Sequence, residues 1–239
     1  MPTLPRAVLP GTKRPERAAI HENIRSFISQ LDYPCVAAIR SVTRKDYMIG
    51  IYDQFGSGLH WQQLRMDLGA YLKKQRATQS RYLSFWAVFT PHPSIPDNEI
   101  QFEDKLWREL SLLSSEEDQP LDWGNNSSDP SDPAFCVSLM GETLFVVGMH
   151  PQSSRVARRF SYPALVFNAM SQFDQFEKDG SYTTLVNTIR RREQKFQGSI
   201  NPMVLAHGDA WESIQYSGRD NPDSWNCPFQ LMKRENKPR

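Results

Sequence analysis

Phe135-Cys136-Val137-Ser138-Leu139-Met140-Gly141-Glu142-Thr143-Leu144-Phe145-Val146-Val147-Gly148-Met149-His150-Pro151 holds two short runs of β-branched and aromatic residues, broken at Gly141. Two such runs around a glycine predict a hairpin, with 135–139 pairing antiparallel to 143–149. The link between them is too short for the crossover of a dozen or more residues that parallel neighbours require. This hairpin turns the reading away from a doubly wound parallel sheet.

Other elements follow on both sides. Upstream, 98–113 reads as a helix, and the aromatic run 82–89, closed by Thr90-Pro91-His92-Pro93, reads as a strand. Leu64, Leu68, Tyr71 and Leu72 form the inner face of a helix over 60–75. Runs 35–40 and 47–52 read as a first hairpin. Ile20, Ile24, Phe27, Ile28 and Leu31 share a helical face that ends near Asp32, because Pro34 biases Tyr33 out of the helical region. Downstream, 164–168 reads as a strand, with helices over 172–178 and 182–197. The acidic, Pro- and Asn-rich stretch 114–133 reads as a long surface loop. Residues 1–15 read as a loose arm before one domain spanning 16–239. Strands and helices mix without a regular βαβ repeat. The expected class is therefore α+β: a single domain with a mixed, largely antiparallel sheet flanked by helices and a long irregular C-terminal segment.

Composition excludes several functions. The net charge is +1, so no global field recruits nucleic acid or an acidic membrane. No apolar run approaches the roughly 20 residues of a membrane span, and the start lacks the apolar centre of a secretory signal. Three widely spaced cysteines, Cys35, Cys136 and Cys227, suit neither a disulfide framework nor a zinc site. A cytoplasmic location is expected. With 13 Phe, 8 Tyr and 6 Trp, the chain can line a large apolar cavity or simply fill a core.

Nucleophile-elbow, zincin, phosphate-loop and dinucleotide signatures are absent. Two segments remain. In the first, His150 stands at the end of an apolar strand, Ser153 or Ser154 is placed to cap a helix, and Arg155, Arg158 and Arg159 follow. Neutral imidazole binds iron well, and guanidinium groups pair with propionates. The plainer alternative is a capped surface helix with a basic face. The second segment runs from Gln197 to Phe229 and gathers Asn201, His207, Asp209, Glu212, Tyr216 and Arg219. It reads either as a cover that brings polar groups to a pocket or as a packed terminal loop. Cys35, after Pro34, is either a thiolate donor or a small buried hydrophobe.

The order and spacing of these residues resemble the YqcI/YcgG family over roughly residues 20–230. The resemblance rests on Tyr33-Pro34-Cys35, His150-Pro151 with Ser153-Ser154-Arg155, and Ala157-Arg158-Arg159-Phe160. It continues through Pro163-Ala164-Leu165-Val166-Phe167-Asn168, Asn201-Pro202-Met203, Gln215-Tyr216-Ser217-Gly218-Arg219, and Trp225 with Cys227-Pro228-Phe229. It implies a haem-dependent, dioxygen-using N-hydroxylase of a small guanidine or amine compound such as arginine. The implied partners are haem b, dioxygen and an external electron donor, a reductase or ferredoxin; a homodimer stays open. His150 is then the first candidate for the iron ligand, His207 its rival or a distal group, and Cys35 the third. Ser154, Arg155, Arg158 and Arg159 are the expected cofactor partners. Asn201 and Tyr216 are placed as hydrogen-bond donors to oxygen, and Asp209, Glu212 and Arg219 as substrate contacts. Ala169-Met170-Ser171 and Trp211 depart from the family pattern, which keeps the substrate open. A non-catalytic haem carrier or sensor, and a haem-free hydrolase or transferase, are the competing readings.

Overall fold

The computed structural model describes residues 16–90, 95–115, 118–201, 212–222 and 224–231. The elements in chain order are α1 (Arg17–Ile28), α2 (Val36–Thr43), β1 (Tyr47–Asp53), α3 (Trp61–Thr78), β2 (Ser84–Thr90), α4 (Glu99–Leu113), β3 (Val137–Leu139), β4 (Glu142–Met149), β5 (Ala164–Ala169), α5 (Ser171–Lys178) and α6 (Tyr182–Gln197). Single 3₁₀ turns occupy Val156–Arg158 and Ser213–Gln215. One five-stranded sheet has the order β1-β2-β5-β4-β3, antiparallel except for the parallel β1–β2 pair. The α+β expectation holds, and so does the hairpin at Gly141. The proposed arm over residues 1–15 lies outside the described residues.

Two expectations are corrected. The first hairpin does not form. Residues 36–43 are helical, with Cys35 as N-cap, and β1 instead pairs in parallel with β2 across α3. Val36, Ile39 and Val42 repeat at helical spacing, but over a run this short that period is hard to tell from a strand's. The second correction concerns α1. It ends at Ile28, and Leu31 is 89% exposed instead of sharing the buried face.

Side-chain alternation along the strands builds two apolar layers. Phe85, Phe89, Leu144, Val146, Leu165 and Phe167 pack toward α3 and α4. Trp86, Val88, Met149, Ala164 and Val166 pack toward α1 and α2. Every residue of β2 is buried, because both sheet faces are covered. Beside the first layer, Asp118 locks the loop that follows α4. Its carboxylate takes both Arg65 nitrogens at 2.6 and 2.7 Å, together with the Met140 amide and the Ser115 hydroxyl. The Arg65 guanidinium holds its pKa below the usual range against the opposing effect of burial.

Candidate functional site

The second layer is incompletely filled. Between its sheet face and α2, α5 and α6 lies a cavity of about 240 Å³. Its floor is Trp86, Val166, Asn168, Phe145, Val147 and Met149. On β4, Leu144 and Val146 are buried against α4, whereas Phe145 and Val147 on the cavity side are only half-buried. The outer wall comes from α5 and α6. Helix α6 places Leu185, Val186 and Ile189 along the cavity, yet Glu193 is its only buried residue. An amphipathic helix normally buries its apolar stripe. This one keeps its stripe beside open space.

The inner wall is Tyr33-Pro34-Cys35. The Tyr33 carbonyl accepts from Arg192 Nε at 2.7 Å and its hydroxyl donates to the Ala157 carbonyl at 3.0 Å, which pins the turn to α6 and to the 3₁₀ turn. Cys35 then caps α2, its Sγ accepting from the Ala38 amide at 3.4 Å. Cysteine is not among the favoured N-cap residues. Burial pushes its thiol pKa up, while the α2 amides and the Arg158 charge pull it back. One end of the cavity is polar, lined by Arg158, Glu193, Asn201, Glu212 and Gln215. The Arg158 guanidinium donates to the Gly148 and Gln215 carbonyls at 3.0 and 3.2 Å. Glu193 Oε2 accepts from the Asn201 amide at 2.9 Å.

A model of the YqcI/YcgG family matches residues 24–230. The chain belongs to the YqcI/YcgG family. No curated protein and no solved structure matches it.

The family stretches read from the sequence divide between the two sides of the sheet. Cys35, Arg158, Asn201 and Glu212 meet at the cavity. The other expected residues do not. Arg155 donates to Ser199 Oγ, and Arg159 to the Ser153 and Ser154 carbonyls. Ser154 binds Glu99 with both its amide and its hydroxyl. Tyr216 is fully buried beside Trp107 and donates to the Leu144 carbonyl at 2.8 Å, so it serves the core and not an oxygen site. Arg219 pairs with Glu103 at 2.9 Å. His207 and Asp209 lie outside the described residues. Among the described residues no cluster of three or more metal-ligating side chains occurs, and no helix is long and apolar enough to cross a membrane.

His150 stands apart from the cavity, and both of its ring nitrogens are buried with no hydrogen-bond partner among the described residues. It follows Met149, a cavity-facing residue, and therefore points to the opposite face. There it is 0% exposed and stacks on Phe102 of α4, with ring centroids 4.2 Å apart. Gly148 shares that side because an added Cβ would fall within 3 Å of Phe102, Leu106 and the Tyr216 carbonyl. Burial, and secondarily the Arg158 charge, push the His150 pKa down to about 4 from 6.5. The folded chain thus holds neutral imidazole while the unfolded chain takes up a proton. The stabilisation is complete above about pH 6.5 and is lost as pH falls toward about 4, to the extent of about 3 kcal/mol. His150→Leu should flatten the pH dependence of urea unfolding across that window; an unchanged slope would place its origin elsewhere.

Sequence reasoning missed Trp86, Asn168, Glu193 and the α6 stripe. The spacing of Leu185, Val186, Ile189 and Glu193 along one helical face was the available signal.

Proposed function

We propose that the chain is a haem-dependent N-hydroxylase of a small guanidine or amine compound, with the cavity over β2, β5 and β4 as its site. The observation that carries this reading is an apolar, aromatic cavity that has a thiol on one wall and a charged end. A haem needs one axial donor from the protein, flat apolar walls and a cation near its acid groups. Cys35 would supply the donor, Trp86, Val147 and Ile189 the apolar walls, and Arg158 the cation. The cavity volume is below the roughly 300–1,000 Å³ of sites that enclose a ligand. A haem there would need more room than the cavity shows, and α6, with one buried residue, is the wall least tied down by packing.

When bound, a haem supplies the chemistry that transfers one atom of dioxygen to an N–H bond while the other leaves as water, with electrons from an external reductase or ferredoxin. The chain's own residues hold and orient. Ala38 N–H and Arg158 stabilise negative charge on the Cys35 sulfur. Glu193 and Glu212 place two carboxylates at the cavity end that also holds Arg158, an excess of acid over base that complements a guanidinium or ammonium substrate. The apolar floor and the α6 stripe exclude water.

The test is the absorption spectrum of the purified chain loaded with haemin, followed by turnover of L-arginine with a reductase and product mass. Haem binding with a product one oxygen heavier supports the reading. Tight haem binding with no oxygenated product from guanidines or amines points to the carrier or sensor, and a chain that takes up no haemin ends the proposal.

A further inference from the structure

Asn168 sits in the middle of the apolar cavity floor. Strand alternation puts it on the face of Val166, and the β4–β5 register sets Phe145 beside it. Asparagine is depleted in strands, and an amide on a covered sheet face needs partners to offset its lost hydration. Several other polar groups of this cavity have firmer ones. Ser41 and Ser84 bond each other at 3.0 Å, Gln172 donates to the Ser80 and Leu83 carbonyls at 2.9 Å, and Arg81 pairs with Asp179 at 2.7 Å. Asn168 differs. Its one hydrogen bond among the described residues runs from Nδ2 to the Val166 carbonyl at 3.5 Å, at the limit of what counts as a bond. With Nδ2 nearest the backbone and the residue lining the cavity, Oδ1 is the amide atom left to accept a hydrogen bond.

We infer that Asn168 is a specificity-determining residue whose Oδ1 accepts an N–H of the molecule held in this cavity. This deepens, and rests on, the reading of the cavity as the site for a guanidine or amine. Glu193 and Glu212 attract a positive charge at one end, while Asn168 fixes which nitrogen faces the floor. Asn168 is only partly buried and its Oδ1 is within reach of solvent in the empty chain, so its loss costs little stability, whereas a bound N–H would still need it as acceptor. Structural and ligand-orienting roles therefore have opposite signatures.

Asn168→Leu, similar in size and apolar, separates them. In the haem-free chain its melting temperature should equal or exceed that of the wild type. L-arginine, agmatine and butylamine serve as probes, by calorimetry on the haem-free chain and by spectral titration on the haemin-loaded one. At least one should bind the wild type and bind Asn168→Leu about tenfold or more weakly. Asn168→Asp should tighten binding of the same cation. A variant that melts several degrees lower, probe binding that ignores residue 168, or no probe binding to either form of the wild type overturns the inference. Failure of haemin to load, with probe binding that still depends on residue 168, sinks the haem reading and leaves this one standing.

Discussion

Cys35→Ser should abolish the strongly red-shifted carbon monoxide band of a thiolate-held ferrous haem, whereas His150→Leu should leave it intact. The two positions are separated by the sheet. Cys35 opens onto the cavity at the N-terminus of α2. His150 is stacked on α4 behind β4, and its backbone amide is bonded to the Arg158 carbonyl at 3.0 Å. To reach the cavity the imidazole, just past the end of β4, would have to leave its stack on Phe102. Burial keeps the free thiol of Cys35 protonated, but a bound metal cation deprotonates a coordinating thiol. Serine caps a helix at least as well as cysteine, so the variant should melt no lower than the wild type. Loss of the band then reports a lost ligand and not a lost fold. If the band survives in Cys35→Ser and disappears in His150→Leu, the inner wall has been misassigned and the ligand lies on the α4 side of the sheet.

The difference between those two residues also shows what could be read without coordinates. Long periodic segments were legible: the inward face Leu64, Leu68, Tyr71 and Leu72 is buried as expected, and the turn at Gly141 joins β3 to β4. Residues 36–43 were not, since eight residues with apolar side chains at several spacings satisfy both a strand and a helix until α1 and α6 pack on them. At the site, the order of residues along the chain gave their chemistry but not their side. His150 and Arg158 look like neighbours in a motif, yet strand parity after Met149 sends one to α4 while the 3₁₀ turn returns the other to the cavity. Parity itself was readable. Which face would stay unfilled was not, because β4 is apolar on both faces and the deficit arises from the small stripe that α6 presents.

Glu103→Ala should cost about 3–5 kcal/mol and release the C-terminal segment from α4. The Glu103 side chain is buried, and four donors of one segment converge on it. Oε1 accepts from Ser217 Oγ at 2.9 Å, Asn221 Nδ2 at 3.0 Å and Trp225 Nε1 at 3.2 Å, and Oε2 from Arg219 Nη1 at 2.9 Å. Removing the acceptor leaves buried donors unsatisfied at roughly 1–3 kcal/mol each, though not additively. The Arg219 side chain is 26% exposed and can turn to water, so its share is discounted. For a chain of this size, such a loss lowers the melting temperature by roughly 10 °C. The same segment brings Glu212 and Gln215 to the cavity, so a stability defect in α4 becomes a defect in the polar end of the site. Glu103→Gln keeps the shape and one acceptor oxygen and should fall between the two. Thermal melts with limited proteolysis of residues 212–231 check this. A Glu103→Ala chain with wild-type melting and an equally protected segment would mean that packing of Trp107, Tyr216 and Trp225 holds the segment without the carboxylate.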